Sequence, residues 1–127
     1  MEISAGIDVV SISRVKKLYL RYGGRFLKRI FTEEELIICL KRKDPTPCLA
    51  GRFCAKEAFM KALGTGARKG VTFSQIGIVR EKSGKPVLNL KGKAKKLLGK
   101  RKAEISITHG KDIAAAIAII YGENRPQ

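Results

Sequence analysis

Along the first residues, apolar and small or polar positions alternate: Ile3, Ala5, Ile7 and Val9 against Glu2, Ser4, Gly6 and Asp8. A period of two marks a strand with two unlike faces, so the pattern predicts an N-terminal strand with Asp8 opposite the isoleucines. The period then lengthens. Ile12, Val15, Leu18 and Tyr22 fall on one side of a helix over 11–22 that Gly23-Gly24 would end, and Arg14, Lys17 and Arg21 line a different side. A short segment, 25–30, leads to Thr32, and Thr32-x-x-Glu35 is the pattern of a capping box for a helix reaching about residue 41. Thr46-Pro47 reads as the N-cap and first turn of a long helix that Gly64 would stop.

The second half is richer in strands. Segments 75–81 and 86–90 flank Lys82-Ser83-Gly84-Lys85 as a hairpin, and 91–101 is a basic, helical stretch. Segments 103–109 and 113–121 form a second hairpin about Gly110-Lys111-Asp112. Because 113–121 is apolar on both faces, it is expected to be a buried strand. Residues 124–127 read as a frayed tail. With neither repeats nor a linker, the expectation is one α+β domain over 1–127, an antiparallel sheet of hairpins packed on a long buried helix.

Charge narrows the partners. The chain carries 27 Lys and Arg against 11 Asp and Glu, a net +16, and a field of that sign favours anionic partners. Nucleic acid, an anionic membrane, an acidic protein and a phosphorylated small molecule all qualify. Cys39, Cys48, Cys54 and the lone His109 lack the spacing of a zinc site. An odd cysteine count without a secretion signal points to reduced thiols and a cytoplasmic location. The longest apolar run, 113–121, is too short to cross a bilayer as a helix.

The long helix is apolar nearly all round, yet Lys56, Glu57 and Lys61 interrupt it. A charge in apolar surroundings is costly unless a partner or a metal satisfies it. Glu57 and Lys61, at i and i+4, read either as an ion pair at the rim of the core or as working groups. Asp8 reads either as a turn or cap residue before the next helix, or as a second oxygen donor beside Glu57. Two carboxylates completed by water and substrate phosphates suit magnesium.

These residues resemble the signature segments of the 4′-phosphopantetheinyl transferase superfamily, in its short holo-acyl-carrier-protein synthase subgroup. The family pattern is a strand with G-[IV]-D, then [FW]-[SCT]-x-K-E-[AS]-x-x-K. Gly6-Ile7-Asp8 matches the first, and Phe53, Cys54, Lys56, Glu57, Ala58 and Lys61 match the second in register. Gly84-Lys85-Pro86 and the strand Ile105-Ser106-Ile107-Thr108-His109 follow in the family's order. Each motif alone is weak; the ordered set, along most of the chain, is specific.

The resemblance implies an enzyme of fatty acid biosynthesis. Asp8 and Glu57 would hold Mg2+ against the pyrophosphate of coenzyme A, the co-substrate. A serine of apo-acyl carrier protein would attack the inner phosphate and accept the 4′-phosphopantetheine arm, and adenosine 3′,5′-bisphosphate would leave. Lys61 would sit on the phosphates, and Glu57 or a water on the metal would take the serine proton. Larger relatives place a third acidic ligand where this chain has Val10, so water would complete the coordination. Thr108 and His109 would contact the coenzyme's 3′-phosphate, unless His109 is a satisfied strand-end residue. Arg52 and Lys56 would reach coenzyme phosphates. Gly64, with Thr65 and Gly66, would offer amides to phosphate or form a plain C-cap. The family's assembly implies a homotrimer with shared active sites. An acidic carrier protein would dock on Arg14, Lys17 and Arg21, with Arg25 and Lys28 continuing the charge.

The rival is a small basic RNA-binding protein, favoured by Lys91, Lys93, Lys95, Lys96, Lys100, Arg101 and Lys102. No RRM, KH or helix-turn-helix pattern accompanies that run, and aromatics are 6%. The expectation is therefore no nucleic-acid and no membrane partner.

Overall fold

The computed structural model describes residues 2–123; the tail expected over 124–127 lies outside them. The chain is α+β. Strand β1 (Glu2–Ser11) leads to α1 (Ile12–Tyr22), α2 (Gly24–Ile30), α3 (Glu33–Cys39) and the long α4 (Thr46–Leu63). A single 3₁₀ turn, Phe73–Gln75, precedes the hairpin β2 (Ile76–Arg80) and β3 (Pro86–Leu90). Helix α5 (Gly92–Leu98) and the hairpin β4 (Lys102–His109) and β5 (Ile113–Gly122) follow. The antiparallel main sheet has the order β1-β5-β4, with Asp8 opposite Ala116 and His109 opposite Ala114. β2 and β3 form a sheet of their own.

α4 is the centre of the core. Leu49, Ala50, Cys54, Ala55, Ala58 and Phe59 are fully buried, and the helix lies on β1 and β5. Small side chains allow that close approach: Gly6 on β1, and Ala114, Ala116 and Ala118 on β5, face the helix. The capping box of α3 forms as expected. The Thr32 amide donates to Glu35 Oε1 at 2.8 Å and the Glu35 amide to Thr32 Oγ1 at 3.2 Å. α3 ends at Cys39, earlier than the pattern suggested, and the segment over 25–30 is itself helical. Thr46 is the first residue of α4 rather than its cap; Asp44 accepts its amide at 3.1 Å, which holds the Asp44 carboxyl below its usual range.

Two expectations are corrected. β5 is buried on one face only: Ala114, Ala116, Ala118 and Ile120 lie inward, while Ile113, Ile117 and Ile119 point outward. They join Ile3, Ile7 and Val9 on an open apolar face, with Ile3 70% and Ile7 62% exposed. The physical reason is that α4 packs on the small-residue face of β1, so the isoleucines of both strands turn the other way. The second correction concerns the thiols. Cys39 and Cys48 form a disulfide, with Cα atoms 5.4 Å apart, because the end of α3 meets the start of α4; only Cys54 is a free thiol. Among the described residues no helix is long and apolar enough to cross a membrane.

Candidate active site

The site begins at Gly6. A β-carbon there would stand 2.1 Å from the Ala58 carbonyl oxygen and 2.9 Å from the Lys61 Cβ, so only glycine lets β1 lie directly on α4. The Ser4 hydroxyl, on the same face, donates to the Ala62 carbonyl. Two residues beyond Gly6 the strand delivers Asp8, whose side chain is 15% exposed, to the same helix. Lys61 Nζ donates to Asp8 Oδ1 at 3.1 Å and to the Ile7 carbonyl at 3.0 Å. Lys61 therefore pairs with Asp8 rather than with Glu57, its i−4 neighbour on α4.

Asp8 and Glu57 line one cavity of about 220 Å3, together with Val9, Val10, Arg14, Leu18 and Phe53. Burial raises the Glu57 pKa, the nearby Asp8 charge raises it further, and Lys61 works against both. Two carboxylates meet in a partly desolvated place, with Lys61 engaged on Asp8 and the exposed Arg14 at the rim, a setting in which a hard cation binds oxygen donors. The donor set fits magnesium. Val10 lines the cavity where a third acid would stand, so the protein supplies two carboxylates there. Sequence reasoning gave Cys54 no role of its own. Its thiol donates to the Ala114 carbonyl at 3.4 Å, and burial together with the Asp8 charge pushes its pKa up to about 12, which makes it a poor nucleophile.

Arg52 lies elsewhere on α4. Five residues separate it from Glu57, which turns the two about 140° apart around a helix of 3.6 residues per turn. It lines a second, smaller cavity of about 60 Å3 with Arg42, Pro47, Cys48, Gly51, Arg80, Ile107 and His109. Arg52 as a whole is 2% exposed. Its Nη1 donates to Cys48 Sγ at 3.1 Å, while Nε and Nη2 have no partner. Burial lowers its pKa; Glu35 opposes that, and Arg80 and Arg42 add to it. Orphaned buried donors beside two further arginines make a receptor for an anion. His109 belongs to this cavity, and Thr108 next to it is exposed. Arg42 and Arg80 were missed because neither falls in a motif.

The Lys56 phosphate contact is not met, and of the two readings of Gly64 the plain C-cap is the one that holds. Lys56 is fully buried, paired with Glu35 at 2.6 Å and donating to the Phe73 and Ile76 carbonyls, so it has no donor left for a coenzyme phosphate. Gly64 is a left-handed C-cap whose amide donates to the Met60 and Lys61 carbonyls; the Thr65 and Gly66 amides also turn back to Met60. None of the three amides is left for a phosphate.

Arg14, Lys17, Arg21, Arg25 and Lys28 are all exposed on α1 and α2, and Arg14 also lines the Asp8–Glu57 cavity. A groove of about 270 Å3 continues from there along Leu18, Tyr22, Arg25, Phe26 and Arg29. The surface beside the carboxylates is thus basic with an apolar floor.

The α+β chain thus brings two carboxylates together at a strand–helix crossing and carries an arginine pocket and a basic groove. Residues 4–118 match the family model of the 4′-phosphopantetheinyl transferase superfamily. The chain is 46% identical over 123 residues to a holo-[acyl-carrier-protein] synthase of Maridesulfovibrio salexigens, covering 94% of this chain and 98% of that protein. The crystal structure of the holo-[acyl-carrier-protein] synthase of Neisseria meningitidis superposes with a TM-score of 0.85 at 37% identity, covering 94% of this chain and 98% of the other. That of Helicobacter pylori, solved in complex with coenzyme A, gives 0.82 at 31% identity over 92% of this chain and 99% of the other. The chain belongs to the 4′-phosphopantetheinyl transferase superfamily, in its holo-[acyl-carrier-protein] synthase group, and is an enzyme.

Proposed function

We propose that the chain transfers the 4′-phosphopantetheine arm of coenzyme A to a serine of an apo-acyl carrier protein, with release of adenosine 3′,5′-bisphosphate, as one domain over 1–127 working in the cytoplasm. The observation that carries this reading is the cavity in which Asp8, Glu57 and the Lys61–Asp8 contact meet the rim of a basic groove. The names of its relatives and the coenzyme A bound to the Helicobacter pylori structure support the two substrates.

Asp8 and Glu57 would hold Mg2+, which, when bound, neutralises charge on the transferring phosphate. Lys61, half exposed on a flexible stem, swings from Asp8 to the phosphate oxygens. The Arg52–His109 pocket takes the coenzyme's 3′-phosphate, which satisfies the orphaned guanidinium N–H groups. Arg14, Lys17, Arg21, Arg25 and Lys28 orient the acidic carrier so that its serine enters beside Asp8.

In one chain the carboxylates and the Arg52 pocket face different ways. A homotrimer resolves this, with the carboxylates of one subunit facing Thr108, His109 and Arg52 of the next. The open apolar face of Ile3, Ile7, Val9, Ile113, Ile117 and Ile119 supports assembly. Transfer of pantetheine label from coenzyme A to an apo-carrier tests the reaction. No labelling by wild type, with salt-sensitive RNA binding in its place, would restore the RNA reading. Mixing inactive Asp8→Ala and His109→Ala subunits tests the shared site: partial recovery is expected, and none would contradict it.

A further inference from the structure

Lys56 and Glu35 form a buried ion pair that the reaction does not use. Lys56 Nζ lies 2.6 Å from Glu35 Oε1, donates to the Phe73 carbonyl at 3.1 Å and to the Ile76 carbonyl at 2.8 Å, and sits 5.7 Å from the centre of the Phe31 ring. An ammonium has three N–H donors, and each has an acceptor here. Glu35 is equally occupied: Oε1 also accepts the Thr32 amide at 2.8 Å, and Oε2 accepts the Ile78 amide at 3.0 Å. One side chain of α4 thus ties together α3, the 3₁₀ turn, β2 and the end of α2.

A buried ion pair is a weak source of stability, because desolvation offsets most of the attraction and apolar residues of similar volume often serve as well. Its value here is geometric. α2 carries Arg25 and Lys28, and Lys56 is the immediate neighbour of Glu57 on α4. The Phe73 ring also stacks on Phe53 at 5.6 Å, and Phe53 lines the carboxylate cavity. We propose that Lys56 is a positioning residue for the acceptor: through Glu35, Phe73 and Phe31 it fixes the carrier-facing helices and the Phe53 wall relative to Glu57. This rests on the function proposed above.

The test compares wild type, Glu35→Gln and the apolar double variant Lys56→Met/Glu35→Leu. Should Lys56→Met alone fail to fold, the double variant still reads out, since it removes both charges of the pair together. The folded double variant is expected to bind coenzyme A within about threefold of wild type, while kcat/KM for the carrier falls by about thirtyfold or more. Glu35→Gln, which keeps the shape but removes the charge facing Lys56 and turns one acceptor into a donor against a backbone amide, is expected to lose about tenfold or more on the same parameter. Amide exchange in α2 and the 3₁₀ turn, measured without substrates, should speed up in both variants relative to α4. Carrier kcat/KM within about threefold of wild type in the folded double variant would overturn the proposal, as would equal losses for carrier and coenzyme or unchanged exchange. Failure of wild type to transfer label would sink the functional reading itself, whereas transfer by wild type with carrier kcat/KM unchanged in the folded double variant would sink the positioning role alone.

Discussion

Gly6 and Ala58 touch backbone to backbone: a β-carbon on Gly6 would lie 2.1 Å from the Ala58 carbonyl oxygen, a distance that no side chain can occupy. The contact sets how closely β1 lies on α4, and therefore where Asp8 stands relative to Glu57. Gly6→Ala is expected to destabilise the fold by about 3 kcal/mol or more, since overpacking against backbone has no flexible end to yield. Transfer per folded molecule should fall as well. Gly24→Ala is the control, because its β-carbon would meet no atom within 4 Å. Denaturant unfolding and turnover of the two variants check the contrast; equal losses would deny Gly6 its special place.

Glu57 should make the metal-free protein sensitive to pH. Its folded pKa lies above its unfolded value, first because of burial and second because of Asp8. The folded state therefore holds this proton more tightly, so the stabilisation it gives is full below the ordinary glutamate range and is lost as pH rises through the raised folded value. In chelator, Glu57→Gln is expected to melt higher than wild type at neutral pH and to lack that decline. Melting curves across pH decide it, and parallel curves would contradict the electrostatic account. The variant should also respond less to added Mg2+.

The Cys39–Cys48 disulfide closes a loop with a sequence separation of 9. Such a short loop is worth about 2–3 kcal/mol through restriction of the unfolded chain. Cys39→Ser/Cys48→Ser is expected to lower the unfolding free energy by that amount, and the melting temperature falls with it. Because Arg52 Nη1 donates to Cys48 Sγ, the change should alter coenzyme A affinity more than carrier affinity. Calorimetry of the two ligands checks the split.

Charge reversal on α1 separates docking from chemistry. Lys17→Glu with Arg21→Glu is expected to raise the carrier KM at least about tenfold and to leave the KM for coenzyme A nearly unchanged, since these two charges lie outside the carboxylate cavity and steering charges act on encounter and orientation. Salt should weaken wild type in the same direction, with screening over about 10 Å at 0.1 M. An unchanged carrier KM and salt response would move the docking face elsewhere, first to the basic run over 91–102.

Most elements were legible because their signals are local. The hairpins, the Thr32–Glu35 box and the Gly64 stop each depend on a few neighbouring residues. The orientation of β1 was not legible. Its isoleucines look like a core face, yet the core takes Ser4, Gly6 and Asp8, because the demand for small residues comes from α4, far away in the chain. For the same reason β5, apolar on both faces, could not reveal which face meets the helix. The site was read through spacing that matched a family, and the structure brings Asp8 and Glu57 to one cavity. Lys56, inside the same motif, turned out to be a buried anchor, because its partner Glu35 and the Phe73 and Ile76 carbonyls come from other segments. Arg42 and Arg80 joined Arg52 and His109 only through the fold. The Cys39–Cys48 pair likewise depends on where α3 and α4 meet.

The central claim is that Asp8 and Glu57 act together as the magnesium site of pantetheine transfer. The most direct measurement is carrier labelling as a function of Mg2+ for wild type, Asp8→Ala and Glu57→Ala, with circular dichroism to show that each variant is folded. Wild type should label the carrier only with the cation present. Each folded variant should lose about a thousandfold or more in kcat/KM, the scale on which charge stabilisation at a transferring group acts. Near wild-type labelling by folded Glu57→Ala at limiting Mg2+, or undiminished wild-type transfer in chelator, would contradict it.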